Sequence, residues 1–156
     1  MSYILFFHMA LGDGSTLQTG RLELIDVTNN VVVDRYIATS GCPGHQSQAD
    51  QSAKGKGPIP RTDLAQVKSY FVATAPIDLT AVRGVEGNFY TISPGLVTLK
   101  TGEVRGDFGV HFDANVPGSA GCVVLETQAG WKGFQEQMKQ ISAEGVKQIP
   151  LFIGYS

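Results

Sequence analysis

Gly109-Val-His-Phe-Asp-Ala-Asn-Val-Pro-Gly-Ser-Ala-Gly-Cys-Val-Val-Leu125 is the stretch from which the rest of the chain is best read. Apolar residues at its two ends predict short strands over Phe108 to Phe112 and Cys122 to Leu125. The segment between them is rich in Gly, Pro and Asn, the chemistry of a loop. His111 falls near the end of the first strand and Cys122 at the start of the second. If the two strands are antiparallel neighbours, both side chains meet at one rim of a sheet.

That meeting has chemical content. A free thiol has a pKa of about 8.5, so little of it is thiolate at neutral pH. An imidazole in reach takes the thiol proton and can later return it to a leaving amine. Ser119-Ala120-Gly121 is a small-residue approach to the thiol, and the amides of Gly121 and Cys122 are candidate oxyanion donors. Asp113 lies two residues after His111, on the same face of a continuing strand, and is a candidate orienter of the ring. Taken singly, each residue has a plainer reading: a cysteine at a strand start is commonly a small buried hydrophobe.

Outward from this stretch the pattern is mainly β. Nineteen glycines and seven prolines break the chain into short apolar runs. Tyr3 to Phe7 reads as a strand. Arg21 to Val27 alternates, Asn29-Asn30 suits a hairpin turn, and Val31 to Thr39 is the β-branched return strand. Ser69 to Thr74, Asn88 to Ile92, Leu96 to Leu99 and Gln148 to Tyr155 read as further strands. One amphipathic helix is expected near the C-terminal end, because Trp131, Phe134, Met138 and Ile141 share a face and Gly145 suits its cap. Ser40 to Pro60 is a polar segment of loop character, either a mobile excursion or a functional loop. The expectation is one domain over 1–156, a β-sandwich or partly closed barrel with a single packed helix.

Composition narrows the function classes. With 156 residues, 42% hydrophobic and 17% charged, the chain is too apolar to be disordered. Its net charge is −2, with both signs scattered, which argues against nucleic acid as a partner. No run is long enough for a membrane span. Cys42 and Cys122 are too few for a disulfide framework. Cys42-Pro-Gly-His45 with His111 and Cys122 would give four zinc-type ligands, but the spacing is poor and no metal or organic cofactor is expected. Tyr3 to Leu11 lacks the positive start and cleavage site of a secretory signal.

His111 followed by Ser119-Ala120-Gly121-Cys122-Val123 resembles the active-site signature of the L,D-transpeptidase catalytic domain, the YkuD-like family. Gly20 to Gly41, ending Ala38-Thr39-Ser40-Gly41, resembles that family's opening hairpin, and Gly57-Pro58-Ile59-Pro60 the Gly-Pro element that follows. The resemblance covers most of residues 20 to 155. It implies a cysteine peptidase or transpeptidase acting on peptidoglycan stem peptides, with Cys122 as nucleophile, His111 as base, and Ser119 and Gly121 in the supporting turn. Phe112 stands where the family usually has Gly. Val124 stands where it usually has an Arg that holds a substrate carboxylate, a task that Arg105 or Arg83 would have to take over. These departures resemble the hydrolase-type relatives, secreted effectors and phage-associated lysins. The expected activity is therefore L,D-carboxypeptidase or endopeptidase cleavage through a thioester. Formation or exchange of cross-links, and a non-catalytic wall-binding or phage structural module, are the alternatives. Without a Sec-type signal, the expected route is synthesis in the cytoplasm and action in the periplasm or wall after delivery by a secretion machine or release through a holin-type pore.

Overall fold

The computed structural model describes residues 2–156. Eleven strands form in chain order: β1 (Tyr3–Met9), β2 (Gly20–Asp26), β3 (Val31–Thr39), β4 (Tyr70–Ala73), β5 (Ile77–Asp78), β6 (Asn88–Ser93), β7 (Leu96–Thr98), β8 (Val104–Gly106), β9 (Gly109–Phe112), β10 (Val123–Leu125) and β11 (Gln148–Tyr155). A single helical turn, α1 (Thr62–Ala65), precedes β4, and the long helix α2 (Gln128–Ala143) lies between β10 and β11.

The expected opening hairpin forms where alternation placed it. Leu5, Phe7 and Met9 of β1 face Leu22 and Leu24 of β2 on the buried side, while Phe6, His8 and Glu23 look outward. Asn30 takes a φ of 53°, and Asp26 accepts hydrogen bonds from Asn29, so the turn is fixed by residues that tolerate its geometry.

The strand order β4-β11-β1-β2-β3-β10-β9-β6 closes through a β4–β6 pairing into an eight-stranded barrel. Closure is complete, so neither a sandwich nor a partly open barrel describes the fold. The cause is β6, which pairs with three partners along its length: Asn88 and Phe89 with β5, Tyr90 and Thr91 with β9, Ile92 and Ser93 with β4. A closed barrel leaves no long unpaired edge. The short strands β5 and β8 had no periodic signal because each shows too few apolar residues to alternate.

The expectation of antiparallel strands on either side of the loop 113–122 is overturned. β9 and β10 are parallel, with Val123 opposite Val110 and Val124 opposite His111. The ten-residue loop carries the chain back to the start of β9 before β10 begins. Parallel neighbours require such a crossover, and hairpin reasoning does not anticipate one this short.

The helix α2 follows the predicted stripe. Thr127 caps it by accepting the Gly130 amide at 2.9 Å, and Gly145 beyond its end has a φ of +90°. Phe134, Met138 and Ile141 are buried, and Phe134 packs edge-on against Tyr36 and Tyr90. Full burial of one such side chain contributes roughly 2–3 kcal/mol. Among the described residues no helix is long and apolar enough to cross a membrane.

Candidate active site

Parallel register still brings the two reactive residues together. His111 and Cys122 line one cavity of about 450 Å³, with Cys42, Arg83, Val116 and Ser119 among its other walls. Cys122 also borders a second cavity of about 270 Å³, walled by Lys54, Leu96, Val104, Arg105 and Asp107. The thiol therefore borders both lobes, and the smaller one combines the charged walls Lys54, Arg105 and Asp107 with an apolar shelf in which Leu96 is 69% exposed.

His111 is buried, and its Nδ1 lies 2.8 Å from the Phe112 carbonyl oxygen. A carbonyl only accepts, so Nδ1 carries the proton and Nε2 is the basic nitrogen. Phe89 stacks on the ring at 5.8 Å. Burial pushes the imidazole pKa below its ordinary value, against the opposing pull of the Phe112 carbonyl and Asp113, so the ring is neutral at pH 7. The ring's orienter is the Phe112 carbonyl. The Asp113 carboxylate instead accepts the Gly118 amide at 3.0 Å and closes the crossover loop. Glu126 packs against Asp113, and its Oε2 has no hydrogen-bond partner among the described residues. Burial, then the neighbouring Asp113 carboxylate, pushes Glu126 up to about 8.

Cys122 is half-buried, and its Sγ donates to the Asp107 carbonyl at 3.7 Å. Burial pushes the thiol up to about 11. The Gly109 amide and the Arg105 charge pull it down, and the Asp107 charge adds to the rise. The resting group is thus a thiol, and among the described residues no hydrogen bond joins it to His111. Ser119 fixes the turn before it. Its Oγ donates to the Cys122 carbonyl at 2.6 Å and accepts the amides of Gly41 and Gly121 at 3.2 and 3.3 Å. The Gly121 amide is thereby engaged, which leaves the Cys122 amide as the candidate oxyanion donor. Gly121 has a φ of +128°, and a Cβ there would stand 2.7 Å from Arg105 Nη2 and 2.9 Å from the Phe108 ring. Only glycine fits.

The segment 40–60 is an ordered wall of the site. Arg105, 2% exposed, donates to the carbonyls of Gln51, Gly57, Pro58 and Ala120. Tyr155 donates to the Ile59 carbonyl and Tyr70 to the Pro60 carbonyl, while Ser40 Oγ accepts the Ile59 amide at 2.8 Å. Gly57 N bonds the Ala53 carbonyl, and the two prolines have no N–H. Every backbone polar group of Gly57-Pro58-Ile59-Pro60 is therefore matched or absent, which lets this loop stay buried. Arg105 is committed to these carbonyls and is not free to clamp a substrate carboxylate. Arg83 is exposed on the wall of the larger lobe and has no ion-pair partner among the described residues.

Sequence reasoning missed Arg105 as the tie between loops; its one signal was a lone cation between Val104 and Phe108. Cys42 is a free thiol that donates to the Ser119 carbonyl at 3.3 Å, and His45 pairs with Asp50 at 4.0 Å. Among the described residues no three His, Cys, Asp or Glu side chains converge on a metal-sized site. Comparison of the chain with protein-family models, with curated proteins and with solved structures yields no match.

Proposed function

We propose that the protein is a cysteine-dependent hydrolase of peptidoglycan stem peptides, an L,D-transpeptidase-like domain of carboxypeptidase or endopeptidase type. The observation that carries this reading is the shared cavity. It joins Cys122, at the end of a Ser119-x-Gly121-Cys turn, to a buried neutral His111 with Nε2 as its basic nitrogen. His111 Nε2 takes the thiol proton, and the sulfur attacks a carbonyl beside a D-configured or diaminopimelate centre. The Cys122 amide faces the oxyanion. The imidazolium returns its proton to the leaving amine, and water hydrolyses the thioester with His111 as base. The contact between sulfur and imidazole tightens when bound substrate excludes water, as catalytic hydrogen bonds commonly do. Arg83 faces the bound peptide from the larger lobe. Delivery by a secretion machine, or release through a pore as a phage lysin, would bring the enzyme to the wall.

Mass spectrometry of muropeptides after incubation of sacculi with wild type and Cys122→Ala tests the proposal. Trimmed stems or lost cross-links, seen with wild type alone, are expected. New cross-links alone would make the protein a transpeptidase, since both reactions share the thioester. One observation favours a second reading, a wall-binding module without catalysis: burial holds the Cys122 thiol up at about 11. No change in muropeptides from walls of several chemotypes would select it.

A further inference from the structure

Arg105 is the one buried cation at this site. Its four hydrogen bonds all go to neutral carbonyl oxygens, and no acidic side chain pairs with it among the described residues. Carbonyl dipoles ease the burial of a guanidinium but leave its full positive charge in place. A charge kept uncancelled in a low-dielectric interior acts strongly on its neighbours. One of those neighbours is the turn that carries the thiol. Arg105 Nη2 bonds the Ala120 carbonyl at 2.9 Å and leaves no room for a Cβ on Gly121, and Arg105 and Cys122 wall the same lobe of about 270 Å³. The Phe108 ring lies 5.6 Å from the guanidinium carbon and shields that side from water.

We propose that Arg105 is a positioning residue for the Cys122 thiolate: it fixes the 119–122 turn and supplies the positive charge that offsets the anion formed at the sulfur. The proposal rests on the reading of Cys122 as nucleophile. When His111 takes the thiol proton, the S–H bond breaks, its electron pair stays on sulfur, and the imidazole becomes a cation. Arg105 lowers the cost of that charge separation. The other charged or titratable groups around the sulfur are Asp107, whose negative charge opposes Arg105 at the thiol, Lys54 and Arg83, all exposed, and Cys42. Exposed charges are screened by solvent and salt in a way the buried guanidinium is not.

The test uses the full chain carrying Cys42→Ser, so that one thiol reports. Iodoacetamide alkylation of Cys122 is followed by intact mass between about pH 7 and about pH 10, where its rate tracks the thiolate fraction. Arg105→Gln is expected to slow alkylation at least about tenfold at every pH, while Arg105→Lys, which keeps the charge, stays within about threefold of the parent. A folded Arg105→Gln protein that alkylates at the parent rate overturns the proposal. So does a folded Arg105→Lys protein as slow as the Gln variant. Should the Gln variant fail to fold, the Lys variant decides alone by the same threefold and tenfold limits. No cell-wall substrate enters the measurement, so failure of the peptidoglycan reading leaves this result standing on its own.

Discussion

Cys122 precedes β10 and α2 follows it, and the two ends of this short strand are secured by different forces. On the α2 side, Tyr36, Tyr90, Trp131 and Phe134 pack ring against ring, with Met138 and Ile141 completing a dry seam. On the Cys122 side, the turn is held by Ser119, Arg105 and the chain near Gly41, almost wholly through hydrogen bonds to backbone groups. Apolar packing is non-directional and tolerates small shifts of position. Hydrogen bonds to carbonyls are directional and fix a turn to a few tenths of an ångström. The first end suits a support, and the second suits a place where a reacting atom must be held.

The difference can be broken from either side. The largest effect is expected from Cys122→Ala, which should abolish wild-type muropeptide products by at least about 10³-fold while leaving the melting temperature close to that of the parent. A variant that still trims stems would remove Cys122 from the chemistry. Next in size, Phe134→Ala on the α2 side should cost about 3–5 kcal/mol in denaturant unfolding, because it empties a fully buried site. The sharper half of this prediction is that iodoacetamide should label Cys122 in the still-folded variant at the parent rate; a large change would mean the two ends are not separate. Gly121→Ala should cost about 2–3 kcal/mol, through its positive φ and the collision with Arg105, and should alter the labelling rate as well.

The smallest effect concerns pH. Glu126 has an ordinary pKa of 4.5 and is pushed up to about 8 in the fold, first by burial and then by Asp113. Between those values the folded protein holds a proton that the unfolded chain has shed. Stability therefore falls as pH rises through this window. Glu126→Gln should flatten the fall, so that the variant gains on the parent toward pH 8 in urea melts run at stepped pH. Parallel curves for the two proteins would show that the fold does not raise the Glu126 pKa.

The same contrast explains what could be read without coordinates. β2 and α2 were legible because each buries one face, which leaves a period of two or 3.6 residues, and β3 because its residues are β-branched. The turn residues of the opening hairpin and Gly145 were legible because each answers a backbone demand. Barrel closure was not, since it depends on β6 pairing with three strands at once, a long-range fact with no local trace. Nor was the parallel β9–β10 register. His111, Ser119, Gly121 and Cys122 stood out through their spacing and come together around one turn and one cavity. Asp113 had the right sequence distance from His111, but its carboxylate is spent on Gly118 and Glu126. Arg105 gave little warning because hydrogen bonds to main-chain oxygens impose no pattern on the residues that supply those oxygens.

The place of β11 in the barrel bears on how the protein is made. This strand is made after every other strand of the barrel, yet it lies between β4 and β1, two strands finished long before. Its Tyr155 also supplies the hydroxyl that secures the Ile59 carbonyl beside the site. During translation the wall must wait with a gap, flanked by unpaired strands that are prone to pair with other chains. From the synthesis of Cys122 until that of β11 the nascent polypeptide therefore carries its thiol without the finished chamber that the thiol will border.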